Sequence, residues 1–448
     1  MATYPDGFLW GAATAAYQIE GAVDADGRGA SVWDTFCARP GRIADGSSGA
    51  IACDHYHRYA EDVQLLRDLG VDAYRFSVSW PRVLPTGTGQ VNGAGLDFYD
   101  RLVDALCAAG VAPVATLFHW DTPQALEDAG GWLVRDTAHR LGEYAAVVAD
   151  RLGDRVAHWI PINEPREVTM LGYGLGVHAP GRTGLFDALP VAHHLLLGHG
   201  LATRALRAAG ATSVGIAASH SPTWTASDSA PDREAAGFFD LINNWLFADA
   251  VLRGEYDADL GALLPVRDGD LEVISTPLDW YGINYYNPTR VGAPGSGAQE
   301  VDGIAMPEEL PFSFAPIDDV PHTDFGWPVV PEGLTEILLA FAERYGDALP
   351  PLMITENGCS YDDPAGPDGR IVDERRIRYL DSHLTALRAA IAQGVDVRGY
   401  FTWSLLDNFE WAEGYRQRFG LVHVDFDSQV RTPRASYQWF GDHIRASR

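Results

Sequence analysis

HYHRYAEDVQLLRDLGVDAYRFSV, residues 55–78, is the stretch on which the fold turns. Tyr56, Tyr59, Val63 and Leu66 recur at helical spacing, and Gly70 stands where a C-cap belongs. Beyond it, Ala73 to Val78 is a short, nearly continuous apolar run, the pattern of a strand buried on both faces of a parallel sheet. The unit recurs along the chain. Leu96, Tyr99, Val103 and Leu106 precede Gly110 in the same way, and further helices are read near Leu189 to Ala209, Ala235 to Arg253, Glu332 to Tyr345, Glu374 to Gln393 and Arg434 to Ile444. Strand candidates lie near Phe8 to Ala13, Ala73 to Val78, Pro113 to His119, Ala157 to Asn163, Val214 to Ser219, Leu278 to Asn284, Leu352 to Glu356 and Arg398 to Ser404. Eight such strands close a barrel, so the reading is an α/β fold, a (β/α)8 TIM barrel with long βα loops. No Pro/Ser linker divides it, which predicts a single domain over residues 1–448. The stretch from Asn287 to Gly326 has no clear period and follows the sixth strand, so it is expected to wall the active face.

Composition narrows the chemistry. A formal charge of −28 repels phosphate backbones and anionic membranes, so a small neutral ligand is expected and nucleic-acid or membrane partners are not. All 33 basic residues are Arg, which removes Schiff-base, pyridoxal-phosphate and P-loop chemistries that need Lys. With 13 Trp, 18 Tyr and 18 Phe, the chain can supply a stacking site as well as a core. Cys37, Cys53, Cys107 and Cys359 form no CxxC pair and read as free thiols of a reducing compartment. The opening MATYPDGFLW has neither the basic nor the apolar region of a signal peptide, and no apolar run is long enough to span a bilayer, so a cytoplasmic protein is expected. Oligomeric state is left open, a homo-oligomer included.

On this barrel the site is built at the carboxyl ends of the strands. Those ends read Gln18 and Glu20, then His119-Trp120-Asp121, Asn163-Glu164-Pro165, Asn284-Tyr285-Tyr286, Glu356-Asn357, and Trp403 with Glu410 and Trp411 beyond. Glu164 and Glu356 end the fourth and seventh strands and face each other across the mouth. Paired carboxyls are what glycoside hydrolysis needs, one protonated to donate to the leaving oxygen and one ionised to attack or to activate water. A separation of roughly 5 to 5.5 Å would give retention and roughly 6.5 to 9.5 Å inversion, a distance the sequence leaves open. His55-x-His57 mimics a metal pair, but at a helix start the two rings point to nearly opposite faces. His193, His194 and His199 also lack i,i+4 spacing, and no metal or cofactor is predicted.

The segments FLWGAATAAYQIEGA, YRFSVSWPRVLP, LFHWDTPQAL, INEP, INYY, ITENG and WSLLDNFEW, running from Phe8 to the SYQWF ending at Phe440, resemble the β-glucosidase family, glycoside hydrolase family 1. The resemblance implies that Glu164 is the acid/base and Glu356 the nucleophile of a retaining enzyme. It assigns sugar-binding roles to Gln18, His119, Asn163, Glu410 and Trp411, with Trp403 as the stacking floor. It places Tyr286 and Arg75 on the nucleophile and Trp327, in its T-D-x-G-W segment, against the leaving group. Arg75 would then favour an ionised Glu356, whose charge would raise the pKa of Glu164. Glu20, Asp121, Trp120, Trp132, Trp159, Trp245 and Trp280 read as structural.

One departure stands out. After Asn163-Glu164-Pro165 come Arg166-Glu167, where many members carry Trp followed by a small residue or Cys, which alters the leaving-group side. The substrate implied is a β-glucoside, with β-galactosides and β-fucosides as further candidates. A 6-phospho-β-glycosidase would carry Ser and Lys in the last loop, where this chain has Glu410 and Trp411. A non-catalytic sugar-binding relative would lack one Glu, and a metal-dependent amidohydrolase would show a strand-end HxH pair.

Overall fold

The computed structural model describes residues 4–297, 300–301 and 304–448. Eight parallel strands form its main sheet: β1 (Leu9–Ala13), β2 (Ala73–Ser77), β3 (Ala112–Phe118), β4 (His158–Ile162), β5 (Ala217–Ser219), β6 (Tyr281–Asn284), β7 (Leu352–Asn357) and β8 (Val397–Trp403). In space the order runs β4-β3-β2-β1-β8-β7-β6-β5. The remaining seam, between β4 and β5, is closed by single bridges at Trp159–Val214 and Asn163–Ala217. The ring is therefore a barrel, fully laddered on seven of its eight sides.

Each strand is followed by a crossover helix: α1 (His55–Leu69), α2 (Gly93–Ala108), α3 (Asp136–Leu152), α4 (Leu189–Ala208), α5 (Ala230–Asp240, continued through a π turn into Leu246–Arg253), α6 (Pro331–Tyr345), α7 (Glu374–Ala392) and α8 (Ala435–Ser447). Gly70 caps α1 in the left-handed region at φ +83°, its N–H on the carbonyls of Leu66 and Arg67. The segment α3 has no counterpart in the sequence reading. Its buried stripe is Ala138, Leu141, Tyr144, Ala145, Val148 and Leu152, helical in period but diluted by Ala. β5 is shorter than its apolar run, because Val214 pairs only through its bridge to Trp159.

The stretch expected to be aperiodic contains four short strands: Thr289–Gly292 and Ser313–Ala315 join Thr223–Thr225 in a separate three-stranded sheet above the barrel, and Glu300–Val301 pairs with Ile304–Ala305. Positions 298–299 and 302–303 of that stretch lie outside the described residues. Among the described residues no helix is long and apolar enough to cross a membrane.

Two close approaches hold the active end together. A Cβ on Gly358 would sit 1.7 Å from the Trp403 carbonyl, so only glycine lets β7 leave the barrel beside β8. Beyond β8, Asp407 accepts two bonds from Arg434, at 2.9 and 2.8 Å, and one from the Gly420 N–H at 2.9 Å. Both side chains of this pair are 0% exposed. Burial works against the Asp407 charge, but Arg434 and then Arg418 hold its carboxyl below the usual range. The loop that carries Glu410 and Trp411 is thereby pinned to the start of α8. Replacing Arg434 by Met should strip the buried Asp407 carboxylate of its two-bond partner, leaving Arg418 at 3.5 Å, and lower the unfolding free energy by about 3–5 kcal/mol, read by urea denaturation at neutral pH.

Candidate active site

The site grows from Arg75, whose guanidinium lies inside the barrel and is 1% exposed. Its Nη1 donates to Glu356 Oε1 at 2.6 Å and to the Thr355 carbonyl at 3.0 Å. Its Nη2 donates to Asn163 Oδ1 at 2.5 Å and its Nε to Thr116 Oγ1 at 3.2 Å. The second Glu356 oxygen, Oε2, accepts the Tyr286 hydroxyl at 2.8 Å. β7 shifts register against both neighbours around Thr355 and Glu356, the mark of a bulge that re-aims a side chain at a barrel rim.

Glu164 is held differently. It sits just past β4 with φ +46°, a left-handed conformation that is strained for a residue with a side chain, and its N–H is tied to the Ala217 carbonyl at 2.8 Å. Its carboxyl oxygens meet only amides, Asn284 Nδ2 at 2.8 Å and Asn163 Nδ2 at 3.2 Å. Trp120 and Trp411 also have positive φ, at 74° and 46°. Three strained residues in one mouth are the signature of a functional site.

The polar network fixes its own orientation. Asn163 Oδ1 accepts from Arg75 and, at 3.1 Å, from Asn284, so its Nδ2 must face Glu164 and His119 Nε2, the latter at 3.1 Å. His119 Nε2 is then the acceptor and Nδ1 carries the hydrogen. Burial, helped by Arg75, holds the His119 pKa well below its ordinary value, so the ring is neutral. Gln18 spends its Nε2 on Asn408 Oδ1, the Phe409 carbonyl and Glu410 Oε2, at 3.1, 2.9 and 3.4 Å. Its Oε1, like His119 Nδ1, is buried without a partner among the described residues. Beside them the Glu410 carboxyl is pushed up to about 8 by burial, then by Glu356 and Glu413. A free acceptor, a free donor and a carboxyl able to do either are a cradle for hydroxyl groups.

Aromatic rings surround this cradle. His119 stacks on Trp403 and on Trp411, each at 5.9 Å, and Trp120 packs on Trp411 at 4.5 Å while its indole N–H bonds the Asn163 carbonyl. Trp120 thus lies nearer the site than its structural reading implied. Trp327 stands half-buried on the other side, 4.3 Å from Phe325 and 5.2 Å from Tyr286.

Both carboxyls of the pair are raised by burial, and unequally. Arg75 and Tyr286 work against the rise at Glu356, while Glu167 adds to it. At Glu164 burial is reinforced by Glu167 and then by Glu356, and its pKa lies well above the ordinary range. Of the two, Glu164 keeps the proton. The sequence reading credited that shift to Glu356 alone and missed Glu167. It also gave no role to Asn284, the closest donor to Glu164, which Thr355 Oγ1 orients through a 2.6 Å bond to its Oδ1. The INYY segment was the only signal for it.

Residues set aside from the site have other partners. Glu20 bonds Arg82 at 3.0 Å and Tyr99 at 2.6 Å. His55 bonds Asp62 at 2.7 Å in the core, whereas His57 bonds Asp54 at 2.6 Å on the surface. Among the described residues no group of three or more His, Cys, Asp or Glu side chains is placed to hold a metal ion.

Comparison with known proteins identifies the family. The thermostable β-glucosidase B of Thermobispora bispora is 48% identical, covering 99% of this chain and 91% of its own. The bifunctional β-D-glucosidase/β-D-fucosidase of Bifidobacterium breve is 44% identical over 98% of this chain and 97% of its own. The crystal structure of a psychrophilic β-glucosidase from Micrococcus antarcticus superposes with a TM-score of 0.95 at 46% identity, covering 100% of this chain and 98% of that one. Residues 1–448 match the description Glycosyl hydrolase family 1, and the chain belongs to that family of glycoside hydrolases.

Proposed function

We propose that the protein is a cytoplasmic retaining β-glucosidase that removes the non-reducing terminal β-D-glucosyl residue from small neutral β-glycosides, cellobiose among them. β-Galactosides and β-fucosides are proposed as further substrates, and relatives named for β-glucosidase and β-fucosidase activity support the reading. The observation that carries it is the unequal grip on two buried carboxyls, a cation and a phenol on Glu356 against two amides on Glu164. The cytoplasmic setting rests on cysteines that form no disulfide. The charge of −28 argues against nucleic-acid partners. The chemistry needs no cofactor.

In this mechanism Glu356 attacks the anomeric carbon as the bond to the leaving oxygen breaks, and Glu164 gives that oxygen its proton. Loss of the Glu356 charge in the glycosyl-enzyme removes one of the influences that raised Glu164. The Glu164 carboxylate then takes a proton from water, whose oxygen displaces Glu356 from the same carbon. Gln18, His119, Asn163, Glu410 and Trp411 hold the sugar hydroxyls over Trp403. Arg75 and Tyr286 keep Glu356 ionised, and Trp327 faces the leaving group.

Assayed on nitrophenyl glycosides, Glu356→Gln should lose about 10³-fold or more in kcat. Undiminished activity there, or no hydrolysis of any β-glycoside by the wild type, would overturn the assignment. In kcat/KM, Glu164→Gln should lose about 10²–10⁴-fold on poor leaving groups and far less on dinitrophenyl glucoside, whose phenolate departs without a proton. Proton NMR of the first product should show the β-anomer, since two displacements restore the configuration.

The Glu167 charge raises the Glu164 pKa, so Glu167→Gln should lower it. The basic limb of the kcat/KM profile, where Glu164 loses its proton, should therefore move to lower pH, while the acid limb set by Glu356 moves the same way by less.

A further inference from the structure

Where β4 and β5 meet, the barrel has two single bridges in place of a ladder, and the chain leaving β4 at this seam carries Glu164. The Glu164 N–H reaches the Ala217 carbonyl at 2.8 Å, but Pro165 follows and has no N–H with which to continue the pairing. The Arg166 side chain takes over. Its Nη2 donates to Ser219 Oγ on β5 at 2.9 Å, and its Nη1 to Asn243 Oδ1 on α5. Within its own turn, Nε at 2.9 Å and Nη2 hold Glu167 Oε1.

The anchor on the far side is itself fixed. Asn243 and Asn244 are both buried and lie in the π turn, Leu241–Trp245, that interrupts α5. Asn244 Nδ2 donates to the Ser221 carbonyl at 2.8 Å, while its Oδ1 accepts the Ser221 N–H at 3.2 Å and pairs with His220 Nδ1 at 3.1 Å. Asn243 Nδ2 donates to Ser221 Oγ at 3.4 Å. The chain leaving β5 is thereby bound to α5, and Asn243 Oδ1 is left for Arg166. Single π turns inside α-helices are concentrated at functional sites. One guanidinium joins the Glu164 turn, β5 and α5, a task for a planar fork of five N–H groups that the compact ammonium of lysine does not match.

We propose that Arg166 is a positioning residue for the proton donor: by tying the Glu164 turn to β5 and α5, it sets where the Glu164 carboxyl meets the departing oxygen. Arg166 bonds neither carboxyl of the pair and acts through the turn. A displacement of ~1 Å at a reacting group can cost about 10²-fold in rate. The proposal rests on the β-glucosidase reading and adds to it a residue that touches no reacting atom.

Charge is the rival explanation. The charged groups bearing on Glu164 are Glu167 and Arg166 from its own turn and Glu356, paired with Arg75, from across the barrel. Burial, then Glu167 and Glu356, raise the Glu164 pKa, while Asn284 and Arg166 work against the rise. An effect of charge alone survives Arg166→Lys, whereas an effect of position does not.

The test measures kcat/KM across pH on phenyl and dinitrophenyl β-D-glucosides. Both leaving groups bring a benzene ring to the enzyme, but phenol needs a proton to depart and dinitrophenol does not, so the phenyl-to-dinitrophenyl ratio reports proton donation and cancels any loss of folded enzyme. In Arg166→Lys the ratio should fall at least about tenfold while the basic limb stays near that of the wild type. In Arg166→Met the ratio should fall as far or further, and the basic limb should move to higher pH, because Glu164 loses a cation that held its pKa down. A ratio unchanged in Arg166→Lys, whether activity holds or falls equally on both glucosides, would overturn the proposal and leave the β-glucosidase reading standing. No hydrolysis of either glucoside by the wild type would remove both.

Discussion

The Arg75 guanidinium, buried in the barrel with 1% exposure, is the charge on which the active end depends. Taking a cation out of water is costly unless every donor finds an acceptor, and this one reaches Thr116 on β3, Thr355 and Glu356 on β7, and Asn163 just beyond β4. Its bonds reach elements spread around the barrel. They also set the polarity of everything downstream. Because Arg75 claims Asn163 Oδ1, Asn163 Nδ2 must serve Glu164 and His119, and His119 must carry its hydrogen on the other nitrogen. The proton positions in the mouth follow from one arginine.

Glu164, Glu167, Glu356 and Glu410 crowd the same mouth, where the nearby cations are Arg75 and Arg166. Such an arrangement is unfavourable to folding, and it is offset by ion pairs placed away from the chemistry. The Asp407–Arg434 pair holds the loop that presents Glu410, and Asp62, bonded by Arg431 at 2.9 Å, anchors the start of α1 through His55. Stability is concentrated behind the site so that like charges can be held together inside it.

The barrel was legible because buried parallel strands leave a simple trace. LMITE and AYRFS are short apolar runs, and the glycines that end the intervening helices punctuate them. α3 escaped because Ala fills three of its eight buried positions and carries little hydropathy contrast. The strands after Asn287 escaped because strands of two to four residues have no measurable period. In the site, the carboxyls and their Arg75 and Tyr286 partners lie in segments of distinctive wording. Asn284 shares the INYY segment with Tyr286 but its aim at Glu164 is set by the fold, and Glu167 acts through space as a charge one helical turn away. A sequence records which groups are present at strand ends, but which of them face each other depends on the bulge at Glu356 and the left-handed turn at Glu164.

The barrel is not equally stiff around its circumference. Seven interfaces are ladders, interrupted by a bulge where β7 meets its neighbours, whereas β4 and β5 meet at two bridges, and the bond from Glu164 N–H to the Ala217 carbonyl spans that same seam. Glu356, by contrast, stands on a strand laddered on both sides. Local opening starts where backbone hydrogen bonds are fewest, so the two carboxyls differ in mechanical compliance as well as in proton affinity. Glu356 stands on the laddered arc of the ring and Glu164 beside its loosely bridged seam, so in the mechanism proposed above the group that changes role between the two steps has the more yielding backbone.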